Sequence, residues 1–514
     1  MKSLLTEEDR IQLKKLNIRE EDVAWQIDMF KKGTPYVQLV RPCTVGDGII
    51  KLSEKEASDF AALYEKKALN LKKIKFVPAS GAATRMFKAL SRFYNEWKGI
   101  EEVKKLSASG DQDAKDLLIF LENIKKFAFY DELKEVLKQN AYEIEELIQQ
   151  GNIKKILHFL LTEDGLNYAN LPKALIKFHK YPEGTRTAFE EHLVEASGYI
   201  SDQNGCYLHF TVSPEHRERF IQFFEQVRDK YEGKYCIRYN VEFSVQDHST
   251  DTIAVDMNNR PFRLKDGTLL FRPGGHGALL NNLNSIDADL IFIKNIDNVV
   301  PDRLKPSIYF WKKVLGGYLL NIKSQVDNFI NLIHKNMDEH VLEKAAEFCE
   351  TYLYKKIPAG LSTEEKKDYI LSCLNRPLRI CGMVKNVKEP GGGPFWVKDP
   401  TGNISLQIVE SAQIDMSSEE QKRIFNSSTH FNPVDIVCSI KDWKGRKFDL
   451  RKYRDMNAVF ITQKSKDGRD LKALELPGLW NGGMAYWNTI FIEVPFITFN
   501  PVKKVVDLLR DNHQ

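Results

Sequence analysis

Residues 75–86 constrain the fold more than any other stretch of this sequence, because their pattern changes twice within a short distance. The stretch begins as an apolar run that is short enough for a buried strand. Small residues follow, and a helical pattern then continues through Phe87, Leu90 and Phe93. A strand, a small-residue loop and a helix start in this order predict a turn whose first helical amides point outward.

Such a turn is a candidate anion site, since unpaired amides at a helix start attract negative charge. Arg85, expected just inside the helix, adds a planar cation whose geometry suits phosphate. An ordinary turn between a strand and a helix, with a surface arginine, fits the same residues. The loop matches neither the dinucleotide-binding fingerprint nor the Walker loop, because its glycines are too few and no Gly-Lys-Ser/Thr follows.

Length and charge limit the possible classes of protein. A chain of 514 residues exceeds what one hydrophobic core supports, and length alone suggests about three domains. The 75 basic residues nearly balance the 71 acidic ones, and the sequence has no long basic run. Nucleic acid is therefore not expected as a partner.

Cysteine usage and hydropathy predict the compartment. The seven cysteines show neither a Cys-x-x-Cys pair nor zinc-ligand spacing, which favours free thiols in a reducing compartment. The N-terminus turns acidic too early for a signal peptide, and no run approaches the ~20 apolar residues of a membrane span. The expectation is a cytoplasmic protein with no membrane segment.

Changes of pattern divide the chain into four predicted segments. A capping box at Ser53 and Glu56 marks a helix start in the first segment. Apolar residues at helical spacing mark a helical insertion within the second. The segments are a helical N-terminal one (1–70), an α/β core (71–300, with its insertion at about 91–165), a second helical one (301–375) and a β-rich portion that ends in a helix (376–514).

Strands and helices alternate within the core. Strand patterns cover residues 207–212, 236–245 and 290–294, and a helical pattern covers about 214–231 between the first two. Such alternation predicts an α/β layer with a largely parallel sheet. Ligands of open α/β sheets sit beyond the carboxyl ends of strands, so Asp297 lies where a metal-binding carboxylate would act. Capping of the next segment is the alternative role for Asp297.

Two further segments carry candidate residues. Residues 271–277 form a second glycine-rich loop, in which His276 is either a turn histidine or a ligand contact. The last segment predicts a short helix that Asn500 caps and Pro501 opens. Lys503 then lies in the first turn, where its charge opposes the helix dipole unless an anion is nearby. A solvated charge is the alternative.

Five patches of the sequence, in their common order, resemble motifs of the UDP-sugar pyrophosphorylases, which are nucleotidyltransferases of the GT-A-like α/β fold. The chain also resembles a family of bacterial proteins known only as a domain of unknown function. The patches are Ser80-Gly81-Ala82-Ala83-Thr84-Arg85-Met86 (like the family's Gly-Gly-x-Gly-Thr-Arg-Leu/Met nucleotide loop), Leu171-Pro172-Lys173 (like its Pro-Lys motif), Pro273-Gly274-Gly275-His276-Gly277 (like its loop beside the uracil ring), Asn295-Ile296-Asp297-Asn298 (like its magnesium-binding strand end) and Phe499-Asn500-Pro501-Val502-Lys503 (like the element whose lysine meets phosphate).

The resemblance implies a fold and a set of residue roles. The fold would be a mixed, mostly parallel GT-A-like sheet flanked by helices, with a large helical insertion and a β-rich C-terminal portion. Asp297 would hold Mg²⁺, and the implied catalytic residues are Arg85, Lys173 and Lys503. The residues implied for nucleotide binding are Ser80, Gly81, Ala82, Ala83, Thr84, Gln246, Gly275, His276 and Gly277, and those implied for the sugar are Asn432 and Gly392.

Two departures from the family pattern bear on these roles. Ser80 and Ala83 stand where the family usually has glycine. If position 83 requires a positive φ or a close approach of the backbone, alanine costs stability or pushes phosphate away. The segment between Arg85 and Pro172 is also longer than in the family, and this insertion is expected to be a lid, an oligomer contact or a regulatory module.

The implied reaction couples a nucleoside triphosphate, with UTP as the first choice, to a sugar-1-phosphate and releases pyrophosphate. Positioning and charge neutralisation carry most of such a transfer, and no general base is needed because the phosphate nucleophile is already ionised. Two alternatives stay open, a non-catalytic nucleotide or nucleotide-sugar binding protein on the same fold and a glycosyltransferase that uses a UDP-sugar. The sequence makes no prediction of the oligomeric state.

Overall fold

The structure is a computed structural model that describes residues 5–335, 338–387, 391–432 and 434–514. Helices and strands share the chain throughout. The α-helices are α1 (Glu7–Leu16), α2 (Glu20–Lys32), α3 (Glu54–Lys67), α4 (Lys88–Asn95), α5 (Ile100–Ala108), α6 (Gln112–Glu122), α7 (Tyr130–Gln139), α8 (Ile144–Gln149), α9 (Ile153–Leu161), α10 (Ala188–Ser197), α11 (Arg217–Tyr235), α12 (Leu279–Ser285), α13 (Lys305–Lys335), α14 (Glu339–Tyr352), α15 (Thr363–Leu374) and α16 (Glu419–Asn426). The strands are β1 (Gln38–Pro42), β2 (Thr44–Val45), β3 (Gly48–Ile50), β4 (Lys73–Pro78), β5 (Lys177–Tyr181), β6 (Gly184–Thr187), β7 (Cys206–Val212), β8 (Tyr239–Val245), β9 (Thr252–Ile253), β10 (Phe271–Arg272), β11 (Leu290–Lys294), β12 (Leu378–Lys385), β13 (Gly392–Lys398), β14 (Ile404–Glu410), β15 (His430–Phe431), β16 (Asp435–Ser439), β17 (Phe460–Lys466), β18 (Arg469–Glu475) and β19 (Asn488–Glu493).

The chain forms two compact units, each built from stretches that are far apart in sequence. The four segments predicted from sequence patterns divide the chain differently and stay a prediction. The first unit comprises Met1–Phe76, Ser244–Ile293 and Trp311–Phe496, and the second unit comprises Val77–Phe243, Lys294–Phe310 and Ile497–Gln514.

A mostly parallel sheet forms the core of the first unit, as the sequence predicts. Its strands follow the order β2-β3-β19-β12-β16-β11-β4. The pairs β2–β3, β3–β19, β19–β12 and β11–β4 are parallel, whereas β12 pairs with β16 in the antiparallel sense. Every residue of β11 is buried, which agrees with its nearly continuous apolar sequence.

The C-terminal portion is rich in strands, which confirms that part of the predicted fold. Beyond the main sheet, β1, β13 and β14 form a separate antiparallel sheet, and β17 pairs with β18 as a hairpin. Leu39, Phe395 and Val409 pack with neighbouring apolar residues in a core of their own against this small sheet. All of these strands belong to the first unit.

The second unit contains the predicted helical insertion. Helices α4 to α9 cover it, and buried residues repeat there at helical spacing, among them Leu117, Phe120, Ile156 and Leu160. Strands β7 and β8 are neighbours in this unit, with α11 between them along the chain. Strand β8 begins later than predicted, because Cys236 adopts a left-handed conformation (φ 54°) at the end of α11.

The helix expected at Arg85 begins later than predicted. A single 3-10 turn, Ala83–Arg85, follows the small-residue loop, and α4 begins only at Lys88. Tertiary contacts explain the difference, because the Ala83 amide donates to the carbonyl oxygen of Leu171. Arg85 therefore lies in a short turn, and the prediction that places it just inside an α-helix is wrong.

The C-terminal helix also begins later than predicted. It is a short 3-10 helix, Val505–Leu509, and the Asp507 carboxylate accepts hydrogen bonds from the amides of Lys503 and Lys504 at 2.7 Å each. Asn500 does not cap this helix, and Lys503 precedes it. The expected unfavourable interaction between the Lys503 charge and the helix dipole therefore does not occur.

Two expectations about the whole chain can be compared with the described ranges. None of the seven cysteines, all of which lie in the described ranges, is in a disulfide, and Cys236 is the exposed one. Within those ranges, each helix is either too short or too polar to cross a membrane.

Candidate functional site

Four of the five resembling patches meet in the second unit. Ala82 bridges to Pro172, which joins the nucleotide-like loop to the Pro-Lys segment. Asn298 bridges to Pro501, which joins the end of β11 to the C-terminal segment. The Lys173 side chain connects these two pairs of segments, as described below. Residues far apart in sequence thus form one cluster, and the fifth patch lies in the first unit.

The loop after β4 is fixed by backbone hydrogen bonds on both sides. The Ala79 amide donates to the carbonyl of Thr211 at 2.8 Å, and the Lys173 amide donates to the carbonyl of Gly81 at 3.1 Å. Ser80, Gly81, Ala82 and Thr84 are exposed, whereas Ala83 is buried. The loop therefore presents its small residues to solvent on a rigid backbone.

Ala83 needs no glycine-like conformation. It lies in the right-handed 3-10 turn, and its amide is used by the carbonyl of Leu171 at 3.0 Å. Alanine at position 83 therefore does not carry the conformational cost of a positive φ. Because its amide is bonded to Leu171, this amide is not available to a phosphate. Gly81 lies in open space, because a Cβ placed there would meet no atom within 4 Å.

Lys173 and Asp297 form an ion pair at the centre of the cluster. The Lys173 Nζ atom donates to Asp297 Oδ2 at 2.9 Å and to the carbonyl oxygen of Val502 at 2.8 Å. Both charged side chains are mostly buried, with 13% and 18% of their surface exposed. One ammonium group therefore links the Pro-Lys segment, the end of β11 and the C-terminal segment.

Asparagine side chains and backbone bonds hold the C-terminal segment beside Asp297. The Asn500 amide donates to Asn298 Oδ1 at 2.8 Å, and Asn298 Nδ2 donates to the carbonyl of Thr498 at 3.2 Å. The Val502 amide donates to the Asp297 carbonyl at 3.2 Å. These contacts place Lys503, the next residue, at the edge of the cluster with its side chain exposed.

Helix α10 supports the Asp297 segment from inside the unit, a role that sequence reasoning missed. His192 Nε2 donates to the carbonyl of Ile296 at 3.1 Å, because a carbonyl oxygen can only accept. Lys294 Nζ donates to Glu195 Oε2 at 2.8 Å, and both side chains are buried. Every residue from 188 to 196 is buried. The charged and polar side chains of α10 therefore lie inside the unit, which the sequence pattern did not indicate.

The cationic residues differ in how they are held. Arg85 is exposed, and in the described ranges no carboxylate lies within ion-pair distance of it. Lys504 pairs instead with Asp116 on α6 at 2.7 Å, and that carboxylate is buried. Arg85 and Lys503 are thus exposed cations on two segments of the same cluster, whereas the Lys504 ammonium is engaged by a carboxylate.

Asp297 fits a shared magnesium site better than a closed protein site. Among the described residues, no group of three or more His, Cys, Asp and Glu side chains converges as metal ligands. Mg²⁺ is typically held by one or two carboxylates together with substrate phosphates, so a single carboxylate is compatible with it. An ion at Asp297 would compete with the Lys173 ammonium for the same carboxylate.

The fifth patch, residues 273–277, packs tightly within the first unit. His276 stacks on Trp480 with ring centroids 4.3 Å apart, and its Nδ1 accepts the Leu479 amide at 3.1 Å. Burial lowers the pKa of His276, although the carboxylates of Glu410 and Glu475 act against this shift. The histidine is therefore held as a neutral ring whose hydrogen lies on Nε2.

Glycines permit this packing. Gly275 has a positive φ of 71°, and a Cβ at Gly277 would lie 2.2 Å from the carbonyl oxygen of Pro477. The loop 273–277 thus requires glycine at both positions, one for its conformation and one for close contact with the chain before Trp480.

The remaining predicted residues are also in the first unit. Gln246 is half-buried, and its Nε2 lies 3.4 Å from Asp251 Oδ1. Asn432 donates its backbone amide to the carbonyl of Gly392 at 2.9 Å, and its Oδ1 accepts the Val434 amide. The two residues implied for the sugar are therefore neighbours, and the Asn432 side chain is buried in a turn.

Comparison with solved structures identifies the fold. The uridine diphosphate N-acetylglucosamine pyrophosphorylase of Trypanosoma brucei, solved with an inhibitor, is similar with a TM-score of 0.50 at 12% identity, over 98% of this chain and 79% of that one. A UDP-glucose phosphorylase of T. brucei (TM-score 0.45, 13% identity, 98% and 77% covered) and a mutant UDP-glucose pyrophosphorylase of Leishmania major with UDP-glucose (0.42, 12%, 98% and 79%) are less similar.

The first of these similarities shows a UDP-sugar pyrophosphorylase-like fold, which agrees with the mixed, mostly parallel sheet. No curated protein matches the chain. A family model matches residues 6–514, nearly the full length. The chain therefore belongs to the family described as a domain of unknown function, DUF4301.

Proposed function

We propose that this protein is a nucleotidyltransferase that couples a nucleoside triphosphate, UTP in the first place, to a sugar-1-phosphate and releases pyrophosphate. The observation that carries the proposal is the cluster in which Lys173 bonds both Asp297 and the carbonyl beside Lys503. Patches that lie far apart in sequence come together around one charge pair. A fold similar to that of a UDP-sugar pyrophosphorylase supports the same reading.

The cluster supplies what phosphate transfer asks of a protein, namely positioned charge. Arg85 would neutralise the departing pyrophosphate, while Lys173 and Lys503 would neutralise the α-phosphate and the sugar phosphate. The exposed amides of the loop 80–82 would hold phosphate oxygens beside Arg85. No side chain has to remove a proton, since the attacking phosphate oxygen is already ionised at neutral pH.

Asp297 is the residue that would hold Mg²⁺. When bound, the ion would supply positive charge that stabilises the phosphates during the transfer. Before substrate binds, Lys173 neutralises the same carboxylate. We propose that substrate phosphate draws the Lys173 ammonium away from Asp297, so that both groups become available together.

Residues of the first unit are proposed for the base and the sugar. Gly275, His276 and Gly277 are proposed to lie beside the uracil ring, with Gln246 at the edge of the ring. Asn432 and Gly392 are adjacent and are proposed for the sugar. The buried Asn432 side chain would contribute through the shape of its turn.

Pyrophosphate release with Mg²⁺, each nucleoside triphosphate and a panel of sugar-1-phosphates tests the proposal. Lys503→Met and Asp297→Asn should lower turnover by about a hundredfold or more, because each removes charge facing the transferred group. Lys504→Met is the matched control, since Lys504 is adjacent and its ammonium pairs with Asp116. No pyrophosphate with any pair of substrates, or equal turnover in Lys503→Met and the wild type, would overturn the assignment.

A non-catalytic nucleotide or nucleotide-sugar binding protein is the second candidate. The observations that favour it are the Ala83 amide, already bonded to Leu171, and the Asp297 carboxylate, already paired with Lys173. Such a protein would show a rise in melting temperature with UTP or a UDP-sugar and no pyrophosphate release. A glycosyltransferase would instead transfer sugar from a UDP-sugar to an acceptor without pyrophosphate exchange.

A further inference from the structure

A cleft of about 900 Å³ lies in the first unit, and no residue assigned to the proposed function lines it. Its walls come from β1 and β14 of the small sheet, from the chain after α14, and from α15. The volume lies within the range of small-molecule sites, about 300–1,000 Å³. The cleft therefore has the size of a binding site and a place of its own in the fold.

Basic side chains dominate the charge of this cleft. Four of them line it, Lys355, Lys356, Arg376 and Lys398, against two carboxylates, Asp399 and Asp455. In the part of the chain that the structure describes, none of these four cations has a carboxylate within ion-pair distance. The positive charge of the cleft is thus not compensated by ion pairs.

The two carboxylates are engaged in their own turns. Asp399 accepts hydrogen bonds from the amides of Thr401 and Asn403 at 2.8 and 2.9 Å and from the Thr401 hydroxyl at 2.7 Å. Asp455 accepts the Asn457 amide at 2.9 Å. Both carboxylates therefore stabilise turns that line the cleft, and neither forms an ion pair with the four cations.

Lys355 and Arg376 form the centre of the positive charge. Burial lowers the pKa of the Lys355 ammonium, and the nearby Arg376 guanidinium lowers it further. Arg376 is oriented by bonds from Nε to the Ser372 carbonyl at 2.7 Å and from Nη1 to the Tyr486 carbonyl at 3.4 Å. The Asp399 carboxylate acts in the opposite direction without restoring the pKa of Lys355, so a bound anion would stabilise this pair of cations.

Aromatic side chains stand beside the cations. Tyr36 and Tyr486 line the cleft and are 53% and 42% exposed, which is high for large rings in a concave site. Arg376 and Tyr486 also line a second cavity of about 650 Å³, in which His334 stacks on Trp443. Tyr36 and Tyr486 therefore offer exposed ring surfaces in the same cleft as the cations.

We propose that this cleft binds a small phosphorylated molecule that carries a ring, with Lys355 and Arg376 at the phosphate and the exposed tyrosines against the ring. Arginine and lysine together suit phosphate, since one offers a planar fork and the other a point charge. Sugar phosphates and nucleotides share this chemistry. The site lies in the first unit and does not depend on the proposed transferase activity.

Calorimetric titration of the full-length protein with AMP, glucose 6-phosphate and inorganic phosphate tests the proposal, with adenosine and glucose as phosphate-free probes. One or both of the ring phosphates should bind, and both phosphate-free probes should not. Lys355→Met and Arg376→Gln should each weaken that binding by about tenfold or more, because each removes a charge-assisted contact. Which ring phosphate binds more tightly identifies the source of the ligand.

Lys344→Met is the matched control, since Lys344 lies exposed on α14 and does not line the cleft. Without ligand, Lys355→Met should also melt at a higher temperature than the wild type, because a half-buried ammonium that is repelled by Arg376 is removed. No binding of any phosphate at millimolar concentration would overturn the proposal. Binding that is unchanged in both cleft variants, or equally weakened in Lys344→Met, would overturn it as well.

Discussion

The contact between Lys173 and Asp297 joins two residues that are 124 positions apart in sequence. Sequence motifs singled out both residues, but they did not predict that one would bond the other. A motif reports the residue types that a site needs, whereas a side-chain pair depends on how distant segments meet. The same limit applies to Lys504 and Asp116, a pair that no pattern in the chain indicated.

Replacing Asp297 by Asn should loosen the cluster locally. The change keeps the side-chain shape and removes the charge that holds the Lys173 ammonium. The amides of Lys173 and Val502 should then exchange hydrogen about tenfold faster or more, because a mostly buried ion pair is lost. Hydrogen exchange measured by mass spectrometry on peptides containing these amides checks this.

Lys504→Met provides the comparison on the same segment. Its ammonium is half exposed, so its loss should change the exchange of the Val502 amide little. Equal protection of the Lys173 and Val502 amides in Asp297→Asn and the wild type would show that the ion pair does not hold the cluster together.

At the scale of elements, a helix start was predictable where hydrogen bonds among four consecutive residues fix it. The capping box at Ser53 and Glu56 is present as predicted, because its bonds join residues three positions apart. The predicted helix starts near Arg85 and Lys503 were wrong, because a distant carbonyl oxygen and a side-chain carboxylate accept hydrogen bonds from the amides there. Leu171 accepts from Ala83, and the Asp507 carboxylate accepts from Lys503 before any helix begins.

Glycine-to-alanine changes should separate the two glycine-containing loops. In Gly277→Ala the new Cβ would lie 2.2 Å from the Pro477 carbonyl oxygen, so the loop 273–277 must shift away from its neighbour. The cost should be about 2 kcal/mol, which corresponds to roughly 3 °C in the melting temperature of a unit of this size. Differential scanning fluorimetry checks the shift.

Gly81→Ala is the counterpart for the other loop. Its Cβ would meet nothing within 4 Å, so the melting temperature should stay within about 1 °C of the wild type. Under the proposed function, the added methyl group should still weaken UTP binding, because it stands where phosphate approaches. Similar melting temperatures for Gly81→Ala and Gly277→Ala would contradict the packing described here.

At the scale of the whole molecule, the sequence predicted a mostly parallel sheet, a helical insertion and a β-rich C-terminal part. It did not reveal how the chain divides, since each compact unit combines stretches that are far apart. Nor did it reveal the buried charges that hold the second unit together. Glu191 is fully buried and accepts bonds from His179, Tyr181 and Lys305, although the surrounding sequence resembles an ordinary helix start.

This buried network ends at His513, and it ties the last residues of the chain to the second unit. His179 Nδ1 lies 2.9 Å from Glu191 Oε1, and its Nε2 lies 3.0 Å from His513 Nδ1. In the described ranges, His513 Nε2 is buried and has no hydrogen-bond partner. A proton added there would remain unsatisfied, and burial together with the neighbouring His179 lowers the pKa of His513 to about 3.

The attachment of the C-terminal segment, which carries Lys503, should therefore weaken in acid. An unfolded histidine has a pKa of about 6.5, so the unfolded state gains a proton below that pH while His513 in the folded state does not. The stability is complete above pH ~6.5 and declines as the pH falls towards 3, by about 2 kcal/mol between pH ~6.5 and pH ~5. Melting temperatures of the wild type and His513→Gln at pH 7 and pH 5 measure this. His513→Gln should lose less stability over this window, whereas His248→Gln, which changes an exposed ring, should behave like the wild type.

An identical decline in all three proteins would mean that His513 takes up its proton in the folded state, and that the C-terminal segment is held by the Asn298 and Lys173 contacts instead.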